Sequence, residues 1–306
     1  MSLTQTQQNW LTAFLFGLIF GVLNYIIYQY VQAEMDFWWS VRIARDFFAG
    51  QDPYAFDATT ENVPYPFPVF LIGIPFLPFS LRTAGALFVG FSVFLVVLGM
   101  LQQDQGWRLP MLLSFPFLGA TLILPQWAPL VMAAWFFPVI APYLVLVKPQ
   151  NALPVALAKW HWIGIFLSAV ILALTLILDP TWPWRWLEKT GDFEYMLPFL
   201  VLPLGPILLL AIRYWRAPSG RLLLLMALLP LRAAYDLPLL WLVTEKRWQV
   251  WTLTILSWVI PIFSTSAAFG ASPRWAIPLL FVPTLLILVW NEDQKLIQRW
   301  LGGTLS

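Results

Sequence analysis

Asp36 heads the stretch "DFWWSVRIARDFFAGQDPY", directly after a long apolar run. A carboxylate at a membrane boundary can act as general base on a hydroxyl. Asp is equally a favoured helix N-cap, at the positive end of the helix dipole. Lys148 opens the polar part of "VKPQNALP", with Gln150 and Asn151 beside it. Arg232, Tyr235 and Asp236 stand in "LLPLRAAYDLPLL", and Gln126 and Trp127 in "LILPQWAPL". An ionisable side chain at membrane depth is costly and by default faces a cavity, a partner or a site. Lys148 and Arg232 can alternatively rest at an interface with buried stems, and Arg232 and Asp236, four residues apart, can pair with each other.

The elements that position these groups have to be apolar. Of 306 residues 60% are hydrophobic and only 10% charged, against roughly 25% charged in soluble domains. No soluble core buries that much apolar surface, so the solvent is lipid. The chain reads as a single all-α, polytopic membrane domain over residues 1–306. A balance of 17 basic and 15 acidic side chains, without a long basic run, argues against a nucleic-acid partner. There is no cysteine, hence no disulfide, thiolate nucleophile or cysteine-held metal. The lone histidine, His161 in "KWHW", cannot build a multi-histidine metal site and reads as an interface residue. No metal site, Gly-rich phosphate loop, H-E-x-x-H or G-x-S-x-G pattern is present.

About twenty apolar residues span a bilayer as a helix. The runs 10–31, 65–80, 82–102, 109–125, 127–147, 148–159, 162–178, 195–213, 221–231, 237–245, 248–269 and 274–290 read as ten to twelve spans or half-spans. The N-terminal ten residues lack a basic signal-peptide start, so the first run reads as a retained helix. Arg213, Arg216 and Arg221, with no acid between them, predict a cytoplasmic linker, and alternation puts Arg82, Lys159, His161 and the N-terminus on that side. Residues 32–64 then form an acidic extracytoplasmic loop of a multi-pass plasma-membrane protein, of bacterial type. The 26 prolines, many inside apolar runs, predict kinked or broken helices around a cavity.

Inside that loop nothing breaks a helix from Asp36 to Ala49, and Gly50 and Pro53 then stop it. Phe37, Val41, Ala44 and Phe48 form one apolar stripe, which predicts an amphipathic helix lying on the outer membrane surface. Arg42 and Asp46, four apart, can pair on it.

Taken in order, "DFWWSVRIARDFFAGQDPY", "YPFPVFLIGIPFLPFS", "LPQWAPLVMAAW", "LVKPQNALPVALA" and "RAAYDLPLL" resemble the integral-membrane glycosyltransferases of the GT-C superfamily. The nearest branch is that of the polyprenyl-phosphate-mannose-dependent α-1,2-mannosyltransferase-like proteins. The likeness covers residues 36 to about 240. Two motifs depart from the family: "YPFP" replaces adjacent prolines and "PQW" replaces a Gly-Gln-Asn pattern. The resemblance implies transfer of a mannose-like sugar from a polyprenyl-phosphate donor to an acceptor hydroxyl at the extracytoplasmic face. It implies Asp36 as general base, with Lys148 and Arg232 stabilising the leaving phosphate as charge grows on it. Asp236 and Tyr235 would orient donor or acceptor, together with Tyr54, Tyr65, Gln150 and Arg42. No cofactor is implied. The partners expected are the lipid-linked donor, membrane lipids and other subunits of a membrane complex. Two further readings stand beside this one: a non-catalytic scaffold subunit, and a lipid or small-molecule transporter.

Overall fold

Proline and glycine decide where each apolar run ends. The computed structural model describes residues 3–31, 36–54, 65–190, 196–230, 234–263 and 273–302, which are helical with no strand among them. The chain divides into two compact units, 1–106 with 118–194, and 107–117 with 195–306. In chain order the first passes through α1 (Gln5–Val31), α2 (Trp38–Phe48), α3 (Phe70–Gly73) and α4 (Leu81–Gln102). Most of α5 (Phe115–Ile123) follows, then α6 (Ala128–Phe136), α7 (Ala141–Val147), α8 (Pro149–Ala158), α9 (Trp162–Leu178) and α10 (Trp182–Thr190). The second unit holds α11 (Pro218–Leu228), α12 (Arg247–Ser257) and α13 (Val282–Gly302), with several 3-10 stretches and a π-helical segment, Ile277–Phe281, directly before α13.

By length and composition α1 and α4 can each cross a membrane. Two bent pairs, residues 106–113 with α5, and α9 with α10 at 94°, raise the number to four if each pair is one span. Most other apolar runs form shorter helices.

The α1–α4 pair is antiparallel. Asn9 donates to the Leu101 carbonyl at 3.2 Å near one end, and Arg82 Nε to the Tyr25 carbonyl at 2.7 Å near the other. Between them Gly17 and Gly21 of α1 meet Ala86 and Gly90 of α4 so closely that a Cβ on Gly17 would lie 2.6 Å from the Gly90 carbonyl oxygen. Small residues four apart let helix backbones approach in this way in lipid. Only the stripe Ala13, Gly17, Phe20 and Asn24 of α1 is buried.

This pairing corrects the sidedness of Arg82. Sequence alternation puts it with Lys159, yet it lies at the C-terminal end of α1, whereas Lys159 sits over the Trp135 ring at 4.8 Å. The neighbouring Phe136 carbonyl accepts from Gln103, next to the Leu101–Asn9 contact, so Lys159 is at the opposite end of this unit. The reason is the 65–80 run. It does not form a span; it breaks into a 3-10 turn, α3 and a second 3-10 turn over Phe67–Phe76, with prolines inside. The chain therefore enters α4 from the end at which it left α1.

The amphipathic helix α2 also differs from expectation. Its stripe turns toward protein, not lipid: Phe37, Val41 and Ala44 are fully buried while Phe48 is 61% exposed. Phe37 stacks on Phe88 of α4 at 4.0 Å and meets Phe76 edge-on, and Phe47 packs on Phe67 and Phe70. Gly73 makes the fit possible, because a Cβ there would lie 2.0 Å from the Ser40 carbonyl oxygen. The Arg42–Asp46 pair forms at 3.6 Å.

The runs 127–147 and 148–159, read as spans or half-spans, fold as three short helices, α6 to α8. At about 1.5 Å per residue none reaches the roughly 30 Å of a bilayer core. A residue before proline is pushed out of the helical region, and Phe137 and Lys148, which precede Pro138 and Pro149, take φ −120°, ψ 71° and φ −140°, ψ 77°. Every residue of α6 is buried, which keeps the broken backbone away from lipid. His161 is more than an interface residue: its Nδ1 accepts from Gly164 N at 3.1 Å and caps α9.

In the second unit buried Arg108 donates to the Trp241 carbonyl at 2.7 Å and to Thr244 Oγ1 at 3.2 Å, while Trp241 Nε1 donates to Thr254. Gln249 of α12 and Asn291 of α13 bond at 2.6 Å, and Lys295 joins Glu245 and Glu292.

The α2–α3 seam gives a direct test. Gly73→Ala is expected to cost about 1–3 kcal/mol by overpacking, read as a lower unfolding temperature in detergent.

Candidate functional site

The corner between α7 and α8 is where the chain turns back inside the first unit, and Lys148 occupies it. Its N–H still bonds the Leu144 carbonyl at 2.8 Å, and its own carbonyl accepts from Asn151 and Ala152 in the next helix. Pro149 lacks an N–H and so suits the first position of α8. The side chain thus leaves from a break fixed on both sides, and it is 2% exposed.

An ammonium so buried needs a counter-charge. Lys148 Nζ donates to Asp36 Oδ2 at 3.0 Å, across 112 residues of sequence, and Asp36 is 12% exposed. The second acceptor is Gln126 Oε1, at the long limit of 3.5 Å, from the turn before α6. The Tyr65 ring lies 5.7 Å from Nζ, in reach of a cation–π contact. Asp36 does not occupy the cap position of α2, which falls to Phe37 without a side-chain cap bond. Phe37 N instead donates to the Pro125 carbonyl, tying the start of α2 to the turn that carries Gln126.

Beneath this polar group is an aromatic floor. Trp127 packs against Phe37, Tyr65 and Phe88 at ring distances of 5.1–6.1 Å and is wholly buried. Its Nε1 finds no hydrogen-bond partner among the described residues. Burial of both charges in such a low-dielectric wall makes each depend on the other.

Tyr54 belongs to the frame around the site. Its hydroxyl donates to the Tyr65 carbonyl at 3.2 Å, and burial pushes its phenol well above the usual tyrosine range, the Arg185 charge only partly offsetting this. Arg185 of α10 lies over the Tyr54 ring and pairs with both Asp52 and Asp179. Sequence reasoning missed this clamp. The only signal was an acid before proline at both 52 and 179, which marks a turn, not a partner.

The remaining residues singled out in the sequence are placed as follows. Gln150 is half-buried in the first turn of α8. Arg42 is engaged on α2 by Asp46 and by the Trp39 ring at 5.3 Å. Asp236 is fully buried in the second unit, at the start of the 3-10 stretch Ala234–Val243. Arg232 lies outside the described residues, as does the side chain of Tyr235. Among the described residues no three His, Asp or Glu side chains gather as a metal site would require.

Comparison with protein-family models, curated proteins and solved structures finds no match for the chain.

Breaking a buried pair by removing one partner strands the other charge and typically costs about 3–5 kcal/mol. Lys148→Met is expected to destabilise the protein by that order, measured by thermal or denaturant unfolding in detergent micelles.

Proposed function

We propose that the chain is a GT-C-like membrane glycosyltransferase, using a polyprenyl-phosphate sugar as donor and an acceptor hydroxyl at the end of the membrane domain that carries Asp36. The observation that supports this reading is the buried Asp36–Lys148 pair, which sets a carboxylate beside a cation at one point reached by three separate segments.

In this reading Asp36 accepts the proton of the acceptor hydroxyl as its oxygen bonds to the anomeric carbon. The bond from that carbon to the phosphate oxygen breaks, and its electron pair leaves on the phosphate. Lys148 lies 3.0 Å from the base, close enough to share its ammonium with the departing phosphate and stabilise the charge that develops there. Gln126 steadies that ammonium from a second direction. Aromatic walls exclude water that would otherwise hydrolyse the donor. The count of ten to twelve spans or half-spans belongs to the same proposal, with the half-helices α6–α8 as elements that meet at the pair.

The scaffold reading rests on the same pair seen differently: a satisfied ion pair tying the start of α2 to the α7–α8 corner is also a structural rivet. The two separate by experiment. Protein in lipid nanodiscs is incubated with a panel of radiolabelled polyprenyl-phosphate hexoses, and loss of sugar from the carrier is followed. Transfer predicts turnover that falls about 10²–10⁴-fold in Asp36→Asn, with the unfolding temperature showing the variant folded. Turnover unchanged by the substitution removes Asp36 as base, and no turnover with any donor favours the scaffold.

A further inference from the structure

The seam between α1 and α4 is open on one side. Glycines four apart pull the two backbones together at Gly17, Gly21 and Gly90, but they supply no side chains to fill the surface above the contact. What remains is an apolar trough of about 490 Å³, floored by these glycines and Ala86 and walled by Val22 and Leu87. Val22 and Leu87 are close to half exposed, and the flanking Phe14, Leu18 and Phe91 are about half exposed too, so the trough opens on the face that α1 turns outward.

One end of the trough is polar and the other is aromatic. Tyr25 and Thr83 line the first end, where the Arg82 guanidinium sits 3.6 Å from the centre of the Tyr25 ring. Its Nε donates to the Tyr25 carbonyl at 2.7 Å, and the Gln29 amide, turned with its oxygen inward, accepts from both Nη atoms at 2.6 Å. These neutral partners hold the guanidinium in place without cancelling its charge. Among the described residues no carboxylate pairs with it. The opposite end is lined by Phe14 and Phe94, which offer a headgroup no polar contact.

We propose that this trough binds an anionic phospholipid, with an acyl chain along the glycine floor and the phosphate against Arg82. The trough is too apolar to hold water, which needs two to four polar partners, so in a bilayer a hydrocarbon chain fills it. A fixed guanidinium that no carboxylate among the described residues neutralises, set where the chain must end, selects a headgroup carrying negative charge, by charge-assisted hydrogen bonds. The site is separate from the Asp36–Lys148 pair and does not depend on the enzymatic reading. Its occupant adds packing area to an α1 that is otherwise held by a narrow stripe.

Native mass spectrometry of the full chain tests this. Protein in detergent is titrated with phosphatidylglycerol and phosphatidylcholine of identical chains. The wild type is expected to retain phosphatidylglycerol about tenfold more tightly, the equivalent of ~1.4 kcal/mol. Arg82→Gln is expected to abolish the preference and Arg82→Lys to keep part of it. Val22→Trp, which fills the trough from an exposed position, is expected to weaken retention of both lipids. Equal retention of the two lipids by the wild type overturns the proposal, and needs no variant to fold. So does a preference that survives Arg82→Gln, or a protein dimer in place of bound lipid that Val22→Trp dissolves.

Discussion

A lysine ammonium buried away from water is tolerable only beside an anion, and this requirement organises the first unit around Lys148 and Asp36. Neither charge is stable at its depth alone. Each partner stands at a helix end. Pro149 ends α7 at Lys148 and starts α8 in the same step, and the chain places Asp36 immediately before α2. The turn at Pro125–Gln126 closes the third side through the Phe37–Pro125 and Lys148–Gln126 contacts. The aromatic group of Phe37, Tyr65, Phe88 and Trp127 then holds these three segments at fixed spacing.

The short helices follow from the same constraint. A continuous 21-residue helix over 127–147 would place its end groups a bilayer apart; the observed run instead breaks at Pro138 into α6 and α7, of nine and seven residues, and so puts helix ends in its interior. Helix ends expose unsatisfied backbone groups, which lipid cannot satisfy. Burial of all of α6 inside protein meets that need. The long helices α1 and α4 have no such breaks, and glycine lets them pack closely in their place. Tyr54, Arg185 and the two aspartates form an outer frame, so the Tyr65 ring over Lys148 is held from behind.

Much of this organisation can be read from local chemistry in the sequence. Residues 162–178 and 82–102 read as helices, and the structure has α9 over Trp162–Leu178 and α4 over Leu81–Gln102, because each is an unbroken apolar run with a capping residue before it: His161 for one, Ser80 for the other. Asp36, Lys148 and Gln126 stand out as polar residues in apolar surroundings. Their approach to one another across 112 residues has no signature in spacing, and only the resemblance suggested it. Three features escaped for definable reasons. The 65–80 run has a span's composition, but prolines break it, and this moved Arg82 to the other end. Phe48 fits the α2 stripe by period, although that stripe meets α3 and not lipid. The Arg185 clamp joins residues 52, 179 and 185, and no periodicity links the first to the others.

The pairing of Asp36 with Lys148 is the claim on which the rest stands, and a double-mutant cycle measures it. Asp36→Asn, Lys148→Met and the double variant are unfolded reversibly in the same detergent. A true buried pair predicts that the double variant loses less stability than the two singles together, by roughly 1–3 kcal/mol. Additivity within about 0.5 kcal/mol would mean that the two charges do not meet, and would contradict the account.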